Sequence, residues 1–381
     1  MSQPNVIVSK QGQQIPELDM KISNFLLRNI VIYGPSNTGK TVCGKAIMHT
    51  LKSEIDQVIV IAPTNTQNDS YTGLVPDQFI HTEIYLPPPV IPNKKSAKDK
   101  EEGACRFMSL IIERQKALVS EYRRANNVSI LKKIYRHIPN NPIGAELAKV
   151  DSKRETMLAN VEKRMPPSKL QATIKSIDDQ CDTIYMKLYK NAIRTNMKHL
   201  ISSTHVSKED KQTINFIDVN PHLLLILDDC AATMGFLFKS DVFSEIFYQG
   251  RHNFITLILI CQDDVDLPSS LRKNAYISIF TSSVIANTYF TRMNDKTTSK
   301  TAIDATDAIF KSSGDERFRK MAYVREPGPN SSQFLYKSFP IHEEFRFGSD
   351  ALYELCDKVK DDGTHQLSEN RFHNVFGRYT S

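Results

Sequence analysis

The sequence has no tryptophan, no Cys-x-x-Cys pair and no apolar run of the roughly 18 residues that a membrane span needs. The first residues, Met1 to Leu18, are mostly polar. We therefore expect no signal peptide, no membrane insertion and an intracellular location. The six cysteines stand apart from one another, which argues against a zinc site or a disulfide framework and favours buried, reduced thiols. The ten histidines form no spaced ligand cluster, so His222 and His252 are interpreted as local hydrogen-bonding residues.

Positive charge is concentrated in one internal segment of the 381 residues. Between Lys94 and Lys211 there are 25 Lys and Arg against 14 Asp and Glu, whereas the remainder carries 24 against 29. A basic block beside a neutral or acidic body points to a phosphate-rich partner. A solvated helical surface is the alternative, and charge alone does not decide between them.

A strand, a helix and a second strand follow one another near the start of the chain. The apolar run Asn29 to Tyr33 predicts a buried strand, Val42 to about Lys52 has a helical pattern, and Gln57 to Ala62 predicts another strand. These elements form one βαβ unit, which requires a parallel sheet.

The loop between the first strand and the helix fits G-x-x-x-x-G-K-[ST] in full. Its glycines let the backbone wrap around phosphate groups, and the helix that follows adds amide donors and its positive dipole end. We expect Lys40 to reach the β- and γ-phosphates of ATP and the Thr41 hydroxyl to bind Mg²⁺. The residues predicted to bind the nucleotide are Gly34, Pro35, Ser36, Asn37, Thr38, Gly39, Lys40 and Thr41.

A second apolar strand with acidic residues at its end is predicted at Leu223 to Leu227, followed by Asp228 and Asp229. In an open parallel sheet, ligands bind at the carboxyl ends of the strands. We therefore predict that Asp228 binds Mg²⁺ through water and that Asp229 orients or deprotonates the attacking water.

The strand predicted at Phe254 to Ile260 has polar residues at both ends. Gln262 follows it and is expected near the γ-phosphate as a sensor of bound nucleotide. Arg251 precedes it and would lie at the opposite edge of the sheet, away from the nucleotide of its own chain. Such an arginine suits the nucleotide of a neighbouring subunit, where a finger of this kind raises the rate by about 10³–10⁵ in some NTPases. Taken alone, this segment would favour an ordinary surface arginine before a strand.

Further strands are predicted at Ala275 to Phe280, Met321 to Arg325 and Gln333 to Ser338, the last two as a hairpin around Glu326 to Asn330. Residues from about Cys105 to Ile201 are mostly helical in pattern. Within them, apolar residues from Leu170 to Leu188 alternate four- and three-residue steps, which indicates either an antiparallel helical hairpin or a partner-binding coiled coil. The predicted fold is an α/β P-loop NTPase of the RecA-like kind, with a mostly parallel sheet flanked by helices and a basic helical insertion.

These motifs together resemble the genome-packaging ATPases of large eukaryotic DNA viruses, the vaccinia type, within the FtsK–HerA group of ring translocases. The similarity covers roughly residues 25–85 and 220–340. In that group an arginine opens the strand after the acidic motif and a glutamine closes it, and Arg251 and Gln262 match those positions. The matching segments are Gly34 to Thr41, Ala62 to Thr64 with Asn68 to Tyr71, Leu223 to Asp229, Arg251 to Leu257 up to Gln262, Leu271 to Ala275, and Ala322 to Arg325.

The resemblance implies an ATP- and Mg²⁺-dependent motor that forms a homo-oligomeric ring and moves double-stranded DNA, without sequence preference, into a capsid. It implies capsid or portal proteins as partners, and the cytoplasmic virus factory of the host, or the virion, as location. The resemblance is silent on the basic segment, for which contact with DNA, contact with a capsid or portal protein, and a solvated surface stay open. Two other functions stay open from the residues themselves: a nucleic-acid helicase, and an ATP-binding scaffold for a capsid portal with little turnover.

Two features depart from that group. Its second acidic residue is often glutamate, whereas this chain has Asp229, and 188 positions separate Lys40 from Asp228, more than such ATPase cores need. The predicted organisation is an N-terminal core part at 1–86, the basic helical insertion at 87–216, a C-terminal core part at 217–345 and a polar tail at 346–381.

Overall fold

The computed structural model of the protein describes residues 6–84, 97–293, 296–310, 318–325, 333–342 and 344–358. The chain divides into two compact units, one formed by the residues up to Gln115 and from His222 onward, the other by Lys116–Pro221. The insertion predicted at 87–216 starts earlier in the sequence than this second unit. The predicted turn at 326–330 and the end of the predicted tail lie outside the described residues.

Ten strands occur in the described residues. They are β1 (Val6–Val8), β2 (Gln14–Pro16), β3 (Asn29–Tyr33), β4 (Gln57–Ile61), β5 (Ile80–His81), β6 (Leu223–Asp228), β7 (Ile255–Cys261), β8 (Ile277–Phe280), β9 (Arg319–Val324) and β10 (Phe334–Ser338).

Fifteen α-helices occur in the same residues. They are α1 (Ile22–Phe25), α2 (Lys40–Leu51), α3 (Asn65–Asn68), α4 (Ala97–Ala125), α5 (Val128–Tyr135), α6 (Gly144–Arg164), α7 (Pro167–Thr195), α8 (Met197–Ser202), α9 (Lys208–Asn215), α10 (Ala231–Met234), α11 (Asp241–Gln249), α12 (Ser269–Asn274), α13 (Ser283–Arg292), α14 (Lys296–Phe310) and α15 (Asp350–Lys358). Short 3₁₀ turns lie at Asp77–Phe79, Leu237–Lys239, Gly250–Asn253 and Asp264–Asp266.

An eight-stranded sheet forms the centre of the first unit, in the order β10-β9-β8-β3-β7-β6-β4-β5 among the described strands. The six strands from β8 to β5 are parallel, and β9 and β10 complete one side as antiparallel strands. Strands β3, β4, β6 and β7 are buried along nearly their whole length, as expected for continuous apolar runs covered on both faces. The predicted P-loop fold, a mostly parallel sheet with helices packed against it, is confirmed.

The order of the strands decides which strand ends lie next to one another in the sheet. Because β7 lies between β3 and β6, the residue that follows β7 lies between the phosphate loop and the acidic strand. We call the edge at which the parallel strands end the carboxyl edge and the opposite one the amino edge. Strand β9 runs the other way, so it begins at the carboxyl edge and finishes at the amino edge.

The second unit has its own apolar core, which includes Leu131, Ile134, Ile193 and Leu200. Helices α6 and α7 run antiparallel, since Arg154 donates to Asp178 and Tyr185 to Asp151 across the pair. The helical-hairpin interpretation is therefore confirmed. The predicted seam on α7 is only partly covered: Cys181 is buried, whereas Ile184 is 41% exposed.

Part of the positive charge of this unit is paired inside it. Asp210 is buried and accepts from Lys133 at 2.7 Å and from Arg124 at 3.4 Å. Burial acts to raise the pKa of Asp210, but its hydrogen bond with Lys133 and the charge of Arg124 hold that pKa below its ordinary value. Arg194 is likewise paired with Asp218. These basic side chains therefore have acidic partners within the unit.

Two further expectations concern the whole described chain. No helix within the described residues has the length and apolar character that a membrane crossing requires. All six cysteines are free, and all except Cys105 are buried, in agreement with the expected reduced thiols.

Candidate nucleotide site

The glycine-rich loop connects β3 to α2 at the carboxyl edge. A Cβ on Gly34 would lie 1.7 Å from Oγ1 of Thr281, so that only glycine allows this approach. Gly39, the N-cap of α2, has a φ of 86°, in the left-handed region that glycine tolerates. The Thr38 hydroxyl makes two hydrogen bonds that hold the loop in place. Its Oγ1 lies 2.7 Å from the carbonyl oxygen of Pro35, within the loop, and 2.5 Å from Oγ1 of Thr281, after the neighbouring strand β8.

Lys40 is the first residue of α2 and is only 7% exposed. Its Nζ donates to the carbonyl of Pro35 at 3.0 Å, so the side chain folds back over its own loop. The first amides of a helix have no intrahelical acceptor and point towards whatever lies at its start. The loop thus offers an ammonium group, free amides and a helix dipole to an anion.

Thr41 and Asp228 are brought together although they lie far apart in the sequence. The Thr41 hydroxyl donates to Oδ2 of Asp228 at 3.2 Å, and the buried Tyr71 hydroxyl donates to the same oxygen at 2.8 Å. Burial raises the pKa of Asp228, and the nearby charge of Asp229 raises it further. The hydrogen bond from Tyr71 lowers this pKa, but the net shift is upward. A carboxylate held against a hydroxyl at the mouth of a phosphate loop fits Mg²⁺, which takes one or two protein oxygens and completes its shell with phosphate and water.

Asp229 and Gln262 form a second contact at the same edge. Asp229 has a φ of 56°, and its amide donates to the carbonyl of Ile260 at 3.0 Å, which turns the chain sharply at the strand end. Nε2 of Gln262 donates to Oδ2 of Asp229 at 3.1 Å. The amide of Gln262 is itself held by Oδ2 of Asp266 at 3.0 Å. The predicted sensor therefore touches the predicted base; Gln262 is exposed and Asp229 is partly exposed.

Two residues of this edge were missed from the sequence. Tyr71 is 1% exposed, and its amide donates to Oδ1 of Asn65 at 3.0 Å, which fixes the loop after α3 beneath Asp228. Thr281 follows β8 and contacts the phosphate loop at Gly34 and Thr38. Tyr71 stands at the end of a segment already matched to the packaging ATPases, a signal that could have identified it. Thr281 carries no comparable sequence signal.

Arg251 lies at the amino edge, in the 3₁₀ turn before β7, and is exposed. The seven-residue strand places it roughly 20 Å from the nucleotide loop of its own chain, at ~3.3 Å per residue. It lines a cavity of about 280 Å³ together with Arg28 and Arg325. Arg28 stacks on the ring of Tyr276, with 4.0 Å between its guanidinium carbon and the ring centroid. The lining of this cavity includes no Asp or Glu among the described residues.

Comparison with known proteins gives similar solved structures and one family. No family model matches the chain. Similar solved structures include the genome packaging NTPase B204 from Sulfolobus turreted icosahedral virus 2 in complex with ATP-gammaS, with 12% identity, a TM-score of 0.34, and 85% of this chain and 100% of that chain covered. VirB4 of Thermoanaerobacter pseudethanolicus is another, with 12% identity, a TM-score of 0.36, and 89% and 97% covered.

Sequence similarity is much stronger to a protein of African swine fever virus, the "Uncharacterized protein B354L". The two are 36% identical over 356 residues, which cover 93% of this chain and 94% of the viral protein. That overlap includes the phosphate loop, the acidic strand end and both edges of the sheet, because so little of either chain lies outside it. The chain belongs to the family of the African swine fever virus protein B354L.

Proposed function

We propose that this protein is an ATPase motor that moves double-stranded viral DNA into capsids. The observation that carries the proposal is the meeting of four predicted residues at the carboxyl edge: Thr41 bonded to Asp228, and Gln262 bonded to Asp229. A phosphate loop alone supports nucleotide binding. The carboxylate pair and the glutamine beside it add what hydrolysis requires.

Each residue of the edge has a role in this proposal. Lys40 and the loop amides bind the β- and γ-phosphates, and Thr41 and Asp228 hold Mg²⁺, which neutralises the charge on the phosphate oxygens when it is bound. Asp229 orients the attacking water and accepts its proton. Gln262, hydrogen-bonded to Asp229, reports the presence of the γ-phosphate to the loop that follows β7.

The amino edge supplies the subunit contact. Three arginines share one cavity there, and the described residues that line it include no carboxylate. We propose that Arg251 reaches the γ-phosphate bound by a neighbouring copy of the chain and so completes its site within a ring. Arg28 and Arg325 hold the positive charge of that contact.

DNA and a capsid are proposed as partners for reasons other than the geometry of the nucleotide site. The motifs resemble those of packaging ATPases, and the relative is a viral protein. The basic segment provides positive charge for phosphate contacts that would be salt-sensitive and independent of sequence. Capsid or portal proteins, and the virus factory in the host cytoplasm, complete the proposed setting.

The test is the ATPase rate with and without double-stranded DNA, for wild type, Lys40→Ala and Lys52→Ala. Lys52 follows α2 and is exposed, so it is the matched control. We expect DNA to stimulate wild type and Lys52→Ala, and Lys40→Ala to have no measurable turnover. Stimulated turnover in Lys40→Ala would refute the site, and slow turnover of wild type without DNA stimulation would identify an ATP-binding scaffold instead.

A further inference from the structure

One buried lysine at the carboxyl edge has no role in the mechanism above. Lys320 is the second residue of β9, a strand that begins at this edge, and it is 8% exposed. Met321 pairs with Phe280 of β8, so the register continued by one residue places Lys320 opposite Thr281. Thr281 contacts the phosphate loop through Thr38. Lys320 therefore enters the site from the side opposite the acidic strand.

The side chain of Lys320 reaches the loop itself. Its Cε lies 3.9 Å from the position that a Cβ would take on Gly39. Gly39 caps α2, so the ammonium group one bond further lies close to the start of the helix whose amides receive phosphate. Two independent observations, strand register and the approach to Gly39, put this charge at the phosphate loop.

Nothing in the described part of the chain balances the charge of Lys320. No ion pair or hydrogen bond to a carboxylate forms between it and the described residues. Burial lowers the pKa of Lys320, and the interaction with Cys43 acts in the opposite direction. Burial also raises the pKa of the Cys43 thiol to about 12, so this group stays neutral and provides no counter-charge near pH 7.

The neighbouring strand shows the usual solution for a lysine. Lys337 of β10 is the register partner of Lys320, and its Nζ lies 2.8 Å from Oε1 of Glu17. A charge taken out of water without a partner costs free energy. A protein that keeps such a charge in a cleft gains from it elsewhere, commonly in binding.

We propose that Lys320 binds a phosphate group of the nucleotide, as a second ammonium contact beside Lys40; this inference rests on the proposed nucleotide-binding function. A phosphate is the ligand that a phosphate loop brings within reach of this ammonium group. It would give Lys320 the negative partner that the described residues do not provide.

The test compares nucleotide affinity with stability in the absence of nucleotide. ADP and ATP binding with Mg²⁺ is measured by calorimetry for wild type, Lys320→Met, Lys320→Gln and the control Lys337→Met. We expect both Lys320 variants to bind ADP roughly 10- to 100-fold more weakly, as for the loss of one hydrogen bond to a charged group. Their unfolding midpoint without nucleotide should be unchanged or higher, because an unpaired buried charge has been removed. Lys337→Met should bind within about twofold of wild type.

The outcomes separate this inference from the function on which it rests. Wild-type affinity in both Lys320 variants, with Lys40→Ala binding weakly, would overturn the role of Lys320 and leave the nucleotide site intact. A lower unfolding midpoint in both variants, in step with the lost affinity, would show a structural role and overturn it as well. If wild type binds neither nucleotide, the proposed function fails and the inference with it.

Discussion

The two edges of the central sheet differ in how their charges are balanced. At the carboxyl edge, Asp228 accepts from Thr41 and Tyr71, and Asp229 accepts from Gln262. Groups of both signs thus occur there, and the acidic ones already have donors. At the amino edge, three arginines line one cavity of about 280 Å³ with no acidic residue among the described lining residues.

This difference indicates which edge has the groups to bind a nucleotide without a second copy of the chain. The carboxyl edge contains an ammonium group and free amides, the oxygens of Thr41 and Asp228 and a second carboxylate, so in the proposed function it would bind a nucleotide with its own groups. The three arginines of the amino edge have no acidic residue beside them in the described cavity lining, so this edge is suited to bind an anion from outside the chain. In the proposed ring, a nucleotide held by a second copy would supply that anion, and each edge would complete the other.

Outside the phosphate loop, the largest effect should come from Arg251, which connects the two edges of different copies in this proposal. Arg251→Ala should bind ATP as wild type does but lose about a thousandfold or more in turnover, because an arginine supplied in trans stabilises the charge of the transition state. The measurement is calorimetry for ATP binding together with the steady-state ATPase rate.

Mixing variants decides whether Arg251 acts between copies. Arg251→Ala has an intact carboxyl edge and Lys40→Ala an intact amino edge, so mixtures should recover part of the activity that neither variant has alone. Lys273→Ala, an exposed basic residue on α12 outside the cavity lining, is the control and should hydrolyse ATP normally. If no mixing ratio restores activity, the proposal that Arg251 acts on the nucleotide of a neighbouring copy is contradicted.

A smaller effect, with opposite signs for stability and activity, is expected at Asp228. Asp228→Asn should lower turnover roughly 10- to 100-fold, as is usual for residues that support a bound metal through hydrogen bonds. Without nucleotide the same variant should unfold at a higher temperature near pH 7, by about 2–4 °C, since a buried carboxylate is replaced by a neutral amide.

The pH dependence of that gain follows from the raised pKa of Asp228. The folded protein holds the proton more tightly than the unfolded chain, whose aspartate pKa is about 3.9. The contribution of Asp228 to stability is therefore present below that value and is lost as pH rises through the raised pKa of the folded state. In thermal unfolding, the advantage of Asp228→Asn over wild type should increase as pH rises above about 3.9 and level off once the raised pKa of the folded state is passed. An advantage that does not grow at any pH above about 3.9 would contradict the raised pKa.

Much of the carboxyl edge could be predicted because its signals are local. Continuous apolar runs predicted β3, β4, β6 and β7, and the loop and acidic pair follow directly after two of them. The structure brings Thr41 to Asp228 and Gln262 to Asp229, while the chemical roles of these residues stay predictions.

What could not be predicted depends on strand order and on long-range packing. Only the order β3-β7-β6 brings Gln262 between the phosphate loop and Asp229. The hydrogen bond from Tyr71 to Asp228 joins positions 157 residues apart, and no periodicity records such a pair. Likewise, the sequence places Arg251 at one edge but does not show that Arg28 and Arg325 share its cavity.

The smallest effect tests how the carboxyl edge holds its acidic residue. Tyr71 and Tyr33 are both fully buried tyrosines, but the Tyr71 hydroxyl donates to Asp228, whereas that of Tyr33 has no hydrogen-bond partner among the described residues. Tyr71→Phe should therefore destabilise the protein by about 1 kcal/mol and weaken Mg²⁺-dependent turnover roughly two- to tenfold. Tyr33→Phe should leave turnover unchanged and stability equal or higher, because it removes a buried polar group that lacks a partner. For both variants, thermal unfolding measures the stability, and the Mg²⁺ concentration for half-maximal rate measures the effect on turnover. Equal effects of the two substitutions would show that Tyr71 only fills space, and that Asp228 keeps its position without the hydroxyl.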